Sequence, residues 1–258
     1  MKLVLPTIGT LESYFVKSSE LKKLFILLLA GLSSALSFAP VYFFPSYMIA
    51  LPVLLVFIMS GKNLGEAFKF GYIFGFGHFF AGLYWIGNSF TIEPSVPGWV
   101  GYIMVALLSV ILAIFIGLVA FGVKYIHKNH NFKTHMINIV ISFVVLWSIV
   151  EWLRGVVFTG FPWNLTGYIW GFSDVMLQST AVWGVYGLSI ITAFLTFIPF
   201  LMLDKKYRLL APAIAIFVIG GIFYYGNNRM TESAGFVEGV NLRIVHPNIK
   251  QQDKWPAK

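Results

Sequence analysis

The sequence contains no cysteine, which excludes a disulfide, a thiolate metal site and a thiol nucleophile within these 258 residues. Charged residues are also scarce at 11% of the chain, whereas about a quarter is usual in soluble domains. Hydrophobic residues make up 58%. A surface this apolar would aggregate in water, and a lipid environment removes that difficulty. The composition therefore predicts a polytopic membrane protein.

Acidic residues are fewer than basic ones, 10 against 18, and the formal net charge is +8. The basic residues lie in small groups between apolar runs, which is typical of membrane topology and not of a nucleic-acid-binding surface. We therefore expect no nucleic-acid partner. No phosphate-binding glycine loop, Ser-His-Asp set or metal-ligand spacing is visible, so we expect no metal and no cofactor. His127, His130 and His135 are predicted to be solvated loop residues.

Seven apolar stretches are long enough to cross a hydrocarbon core, which takes about 20 residues in a helix. They cover residues 21–39, 42–60, 67–90, 99–123, 136–158, 175–203 and 209–225. Helices are predicted because lipid cannot satisfy free backbone groups and because the stretches lack the alternation of a membrane barrel. The predicted fold is thus all-α, with a seven-helix transmembrane domain over residues 21–227.

The distribution of Lys and Arg predicts the orientation, because cytoplasmic connections carry the excess of positive charge. Most basic residues fall in the segment 1–20 or in alternate connections of one set: Lys2, Lys17, Lys22, Lys23, Lys62, Lys69, Lys124, Lys128, Lys133, Lys205, Lys206 and Arg208. The short connections of the other set contain only Arg154. The amino terminus is therefore predicted to be cytoplasmic. An eighth crossing at 155–172 conflicts with this bias, so we interpret residues 155–174 as an outer-face loop.

The tail over residues 228–258 differs in character from the rest of the chain. Residues 240–245 alternate between apolar and polar side chains, and a His246-Pro247-Asn248 turn follows. This pattern predicts one β-strand. Since a single strand is not stable in water, we expect it to open a further domain that is incomplete in this chain.

Glu151 and Arg154 are three residues apart and hence on one helix face. Composition alone favours an interfacial ion pair that snorkels outward and anchors the fifth helix. The alternative is a functional pair, because a Phe161-Pro162-Trp163 turn nearby could hold an aromatic ring beside lipid head groups. His78, in the third apolar stretch, is predicted to form a hydrogen bond between helices.

The run from Trp147 to Tyr168 strongly resembles the outer-face segment of bacterial apolipoprotein N-acyltransferases. Three further matches occur in the same order as in that family: Phe38-Ala39-Pro40 with Phe44-Pro45, Gly82-Leu83-Tyr84-Trp85, and Val245-His246-Pro247-Asn248-Ile249-Lys250-Gln251 with Lys254-Trp255. The Glu-x-Leu-Arg-Gly and Gly-Phe-Pro-Trp block is the specific element of the resemblance.

The resemblance implies an enzyme of the bacterial inner membrane that moves an acyl chain from phospholipid to the amino-terminal cysteine of a diacylated lipoprotein. In that family the chain passes through a thioester on an enzyme cysteine, and the catalytic Glu, Lys and Cys belong to a periplasmic nitrilase-like domain. By resemblance, residues 228–258 would begin that domain and the carboxyl terminus would be periplasmic. Phe161, Pro162, Trp163 and Trp255 would contact the lipid, with Glu151 and Arg154 bracing the loop.

The sequence ends at Lys258, before the family's three catalytic positions, and it contains no cysteine that could replace the missing one. We therefore expect no catalytic residue here and no acyl transfer by this polypeptide alone. The chain would be a decaying reading frame or one half of a split enzyme, completed by a separately encoded nitrilase-like domain. The alternative is a non-enzymatic lipid-binding or transport protein, although the duplicated halves typical of transporters are not visible.

Overall fold

The computed structural model describes residues 18–91, 96–130, 135–231 and 239–249. Over these residues the regular structure is all helical. The α-helices are α1 Glu20–Ser34, α2 Pro45–Ser60, α3 Leu64–Gly82, α4 Trp99–His127, α5 Met136–Val156, α6 Asp174–Leu177, α7 Thr180–Thr196, α8 Ile198–Leu201 and α9 Leu210–Thr231. Short 3-10 helices cover Ala35–Ser37, Tyr84–Thr91, Val157–Thr159 and Thr166–Phe172.

Local sequence signals set where several helices begin. Pro45 opens α2, where its missing backbone N–H costs no hydrogen bond. The Asn63 side chain caps α3 by accepting a hydrogen bond of 2.9 Å from the backbone N–H of Glu66. Ser173 caps α6 in the same way, by accepting from the backbone N–H of Met176.

Four helical segments of the described residues are long and apolar enough to cross a membrane: Trp99–His127, Met136–Thr159, Thr180–Leu201 and Leu210–Thr231. They coincide with the last four predicted crossings. The first three predicted stretches form α1, α2 and α3, which have 15, 16 and 19 residues. They are shorter than predicted because the chain changes from α-helix to turns and 3-10 helix at one end. A count of seven crossings is therefore not confirmed.

The interior lies around α3, which packs against α1 on one side and α4 on the other. The largest fully buried side chains of this interior are aromatic, and include Tyr47, Phe57, Phe70, Phe74 and Phe143. In lipid, helices associate through close packing and interhelical hydrogen bonds, because the hydrophobic effect does not drive them together. This arrangement makes α1 to α5 a densely packed unit.

Two predictions about histidines have different outcomes. His78 Nδ1 lies 2.7 Å from the Ser34 hydroxyl and so links α3 to α1, which confirms the predicted hydrogen bond between helices. The prediction of a solvated loop is wrong for His127. Because α4 continues past the predicted end at residue 123, His127 is buried, and its Nε2 lies 2.9 Å from the Ser142 hydroxyl of α5.

Helix α9 and the residues described after it are less buried than the rest of the chain. Helix α9 contacts mainly the short helices α6 and α8. Residues 239–249 follow without helix or strand, and their side chains are exposed. The predicted strand at residues 240–245 is therefore not confirmed.

Candidate functional site

Glu151 and Arg154 lie in the last turns of α5 and face the interior of the protein. Their exposed fractions are 5% and 4%, so neither side chain reaches out to an interface. The interpretation of an outward-snorkelling ion pair is therefore wrong. The physical reason is that the chain after α5 folds back over this face and supplies the polar partners that burial of a charge requires.

The carboxylate of Glu151 is bound by Thr166. Its Oε1 accepts hydrogen bonds of 2.8 Å from both the backbone N–H and the hydroxyl of Thr166. The Thr166 oxygen in turn accepts from the indole N–H of Trp147 at 2.9 Å and lies 3.4 Å from the Tyr47 hydroxyl. Three elements, α2, α5 and the 3-10 helix at 166–172, are thereby joined through one buried polar cluster.

The guanidinium of Arg154 holds the loop that follows α5. Its Nη1 donates to the backbone carbonyls of Phe161 and Trp163, each at 2.6 Å. The guanidinium carbon also lies 5.2 Å from the ring centre of Phe79, within the range of a cation–π contact. Charge-assisted bonds of this kind are among the strong hydrogen bonds of proteins. Arg154 therefore holds the Phe161–Trp163 turn against the end of α5.

The loop needs this support because its backbone is strained. Phe158, Thr159 and Asn164 have positive φ angles of 52°, 74° and 54°. Non-glycine residues adopt this left-handed region at a cost, and such conformations persist where surrounding contacts enforce them. The polar cluster and the Arg154 bonds provide those contacts on either side of the turn.

A groove of about 950 Å³ opens at this end of the helical bundle, which we call the groove end. Its lining comes from four stretches of the chain, 38–42, 82–85, 163–171 and 177–185: Phe38, Ala39, Pro40, Tyr42, Gly82, Tyr84, Trp85, Trp163, Asn164, Tyr168, Gly171, Leu177, Thr180, Gly184 and Val185. Trp163 is half exposed, and its ring centre lies 5.2 Å from that of Trp85 in an edge-to-face arrangement. The two indoles form one wall of the groove.

The groove is apolar with a few neutral polar groups, and its lining contains no Asp, Glu, Lys or Arg. Burial raises the pKa of the Tyr168 phenol above its ordinary value of 10.0, so this hydroxyl stays neutral and can donate a hydrogen bond. Such a surface suits an uncharged and largely apolar ligand segment. Within the described residues, no group of three or more His, Asp or Glu side chains is placed to hold a metal ion.

The predicted site residues therefore do not all line the groove. Trp163 lines the groove, Pro162 is exposed beside it, and Phe161 packs against the core. Trp255 lies outside the described residues. Sequence reasoning missed Thr166 as the partner of Glu151, since a separation of 15 residues matches no helical spacing. It also missed Asn164, whose place in the groove wall follows from a backbone conformation that no short motif specifies.

The bundle and its groove define a helical membrane protein with an apolar cleft at one end. A model of the apolipoprotein N-acyltransferase N-terminal domain matches residues 30–198, which include all the groove segments. The chain belongs to the apolipoprotein N-acyltransferase family.

Curated relatives named apolipoprotein N-acyltransferase agree with this assignment. The chain is 36% identical to that of Rickettsia bellii over 88% of its own length and 44% of the relative's. It is 32% identical to the Rickettsia prowazekii protein, covering 89% of this chain and 45% of the relative. It is 31% identical to the Rhodopseudomonas palustris protein, covering 91% of this chain and 44% of the relative. The chain thus spans less than half the length of these relatives.

Proposed function

We propose that this chain forms the membrane part of an apolipoprotein N-acyltransferase and that its groove holds the phospholipid that donates the acyl chain. One observation carries the proposal. The segments at residues 38–40, 82–85 and 163–168, which are far apart in the sequence and which contain motifs of the family resemblance, meet around a single groove. The volume of about 950 Å³ is at the upper end of the usual range for ligand sites, about 300–1,000 Å³.

The lining indicates which part of the lipid the groove would hold. A phosphate would need a cation or several N–H donors, and no charged side chain lines the groove. Aromatic rings and small apolar side chains suit an acyl chain, and the neutral groups of Tyr168 and Asn164 suit an ester carbonyl. We therefore assign the groove to the acyl and ester region, with the charged head group outside it.

A photoreactive phospholipid with a diazirine on its acyl chain tests this assignment. We expect labelling of purified protein in nanodiscs to concentrate on peptides that contain residues 38–42, 82–85 and 163–168. Trp163→Ala should reduce this labelling, because it removes one wall of the groove. Trp183→Ala is the matched control, since Trp183 has a similar exposed fraction, 43% against 50%, and lines a different cavity.

Two results would count against the assignment. One is labelling spread evenly over all lipid-facing helices. The other is an equal response to Trp163→Ala and Trp183→Ala, which would mean that the lipid is bound without regard to the groove.

For the acyl transfer itself, we propose that the reacting groups come from outside these 258 residues. A thioester needs a thiol, and the sequence contains none. A nitrilase-like domain docked at the groove end, where α9 ends beside α6, would bring a cysteine close to the bound lipid. The partners would then be phospholipid, a diacylated lipoprotein and that domain.

Reconstitution tests whether a second polypeptide supplies the reacting groups. A separately purified nitrilase-like domain from a family member, mixed with this chain and a diacylated model lipoprotein, should restore acylation of the lipoprotein amino terminus, as measured by mass spectrometry. Turnover by this chain alone would refute the proposal. No turnover by the pair would favour a non-enzymatic membrane protein.

We further propose seven crossings of a bacterial inner membrane, with the amino terminus cytoplasmic and the groove end periplasmic. The charge bias of the connections supports this orientation. Because the protein has no cysteine, single thiols can be introduced without background. Asn248→Cys should react with an impermeant maleimide in intact cells, and Lys205→Cys should not. The opposite pattern would reverse the orientation.

A further inference from the structure

A much smaller cavity lies next to the groove, between the last turns of α3 and α5 and the middle of α4. It has a volume of about 20 Å³, and Glu151, Arg154, Asn164, Trp147 and Phe79 are among its lining residues. About 10–15 Å³ of such volume is enough to hold one water molecule. The cavity is thus the size of a single water and, unlike an apolar packing defect, it has ionisable and amide groups in its wall.

Two residues that line this cavity each carry a buried polar atom without a hydrogen-bond partner: Oε2 of Glu151 and Nδ2 of Asn164. The two carboxylate oxygens of Glu151 differ in their contacts, because both hydrogen bonds from Thr166 go to Oε1. Buried polar atoms in folded proteins almost always have partners, so two unpaired atoms on residues that share one cavity point to a ligand there.

The chemistry of the two atoms is complementary to water. A carboxylate oxygen accepts, an amide N–H donates, and a water molecule can do both. We infer that the cavity is a binding site for one ordered water, which accepts a hydrogen bond from Asn164 Nδ2 and donates one to Glu151 Oε2. Waters of this kind are structural parts of a fold and satisfy groups that no side chain reaches.

The position of the Asn164 amide is set by its surroundings. Its backbone is left-handed, with φ 54°, and its Nδ2 lies against the α-carbon of Gly82, where any side chain would collide with it. Asn164 lines both the cavity and the groove. The bound water therefore links the carboxylate of Glu151 to the groove wall, and this link exists whether or not the groove binds phospholipid.

Hydroxyl-radical footprinting of the full chain in detergent micelles tests the inference. Radicals formed from a bound water modify the side chains beside it even when these are buried. After correction for the intrinsic reactivity of each residue type, we expect Phe79 and Trp147 to be oxidised several-fold faster than Phe57 and Phe70, which are also buried but do not line this cavity. After rapid mixing into oxygen-18 water, the early product at Phe79 and Trp147 should carry oxygen-16, because the bound water exchanges slowly.

Asn164→Leu removes the donor and should lower oxidation of Phe79 and Trp147 to the rate of Phe57 and Phe70. Tyr168→Phe is the control, since it removes a polar group of the groove that does not line the cavity, and it should leave the pattern unchanged. In the wild-type protein, equal rates for the two pairs of residues would show that the cavity is dry and would overturn the inference. Unchanged fast oxidation in Asn164→Leu would equally overturn the role of Asn164.

Discussion

The unit formed by α1 to α5 and helix α9 are both apolar and helical, but they are packed very differently. In the apolar stretch of α4, 44% of the residues are buried inside the protein, whereas in that of α9 the fraction is 17%. Helix α3 lies between two neighbours, while α9 touches mainly the short helices α6 and α8. Two apolar helical parts of the chain are therefore packed in different ways, one densely inside the bundle and one at its periphery.

The gap beside α9 shows what this difference allows. A cavity of about 580 Å³ lies between α5, α7 and α9 and is lined only by apolar residues, Trp183 and Phe217 among them. Acyl chains of the bilayer can fill such a space without a specific contact. The groove, in contrast, is held in place by Arg154 and the Glu151–Thr166 cluster. The packed unit therefore positions its groove by specific hydrogen bonds, whereas lipid fills the space beside α9.

The largest difference between the regions is expected for two arginines. Arg154→Met removes both hydrogen bonds to the part-buried carbonyls of Phe161 and Trp163 and leaves the buried Glu151 without the positive charge beside it. We expect the free energy of unfolding to fall by about 2–5 kcal/mol, since each unsatisfied buried group is costly. Arg229→Met in α9 loses only an exposed bond to Gln178 and should change it by less than about 0.5 kcal/mol. Steric-trap unfolding in bicelles gives both values.

Similar losses for the two variants would contradict the comparison. A loss at Arg154 with no change in the fluorescence of Trp163 would contradict the specific claim that Arg154 holds the Phe161–Trp163 turn.

A smaller difference is expected for two glycines in helices. In Gly31→Ala, the new Cβ would collide with the backbone carbonyl of Phe74, so α1 and α3 must separate. This should cost about 1–3 kcal/mol, as overpacking usually does. Gly220→Ala in α9 meets nothing within 4 Å and should be neutral or stabilising by up to about 1 kcal/mol through helix propensity. Thermal unfolding followed by circular dichroism measures both, and a destabilised Gly220→Ala would show that α9 is tightly packed after all.

The smallest effect is expected for the ion pair between Glu20 and Lys69, at the end of the packed unit opposite the groove. The hydrogen bond and positive charge of Lys69 hold the pKa of Glu20 below its ordinary value of 4.5. The pair therefore stabilises the fold above pH 4.5, and the effect is lost as the pH falls through the lowered pKa. Because both side chains are exposed, we expect Glu20→Gln to abolish only a slight, salt-sensitive part of the decrease in melting temperature between pH 6 and pH 3.

A large change in melting temperature from Glu20→Gln would show that electrostatics, and not close packing, holds α1 to α3. That result would remove the physical basis of the contrast between the two regions.

The sequence predicted the helices well because hydrophobic runs and caps are local signals. The starts of α4 and α5 at Trp99 and Met136 agree with the prediction to the residue. The sequence predicted the ends of α1 and α3 less well, because both helices are followed by 3-10 helix near the groove and composition does not distinguish an α-helix from a 3-10 helix. A pattern of alternation at residues 240–245 could not supply the neighbouring strands on which a sheet depends.

The site was only partly predictable for the same reason. Spacing placed Glu151 and Arg154 on one helix face, yet it could not show that the chain folds back to bury both. The partners that decide their role, Thr166 and the carbonyls of Phe161 and Trp163, are contacts of tertiary structure. Trp163 was identifiable because a Pro-Trp turn between glycines limits where the ring can go.

The most direct test of the account is an experimental structure of this chain in nanodiscs of native phospholipid, determined by electron cryomicroscopy with a bound antibody fragment. We expect density for an ordered acyl chain in the groove between Phe38, Trp85 and Trp163, and weaker, disordered lipid beside α9. A groove without lipid density, or one closed by its own side chains while lipid is ordered beside α9, would contradict the central claim.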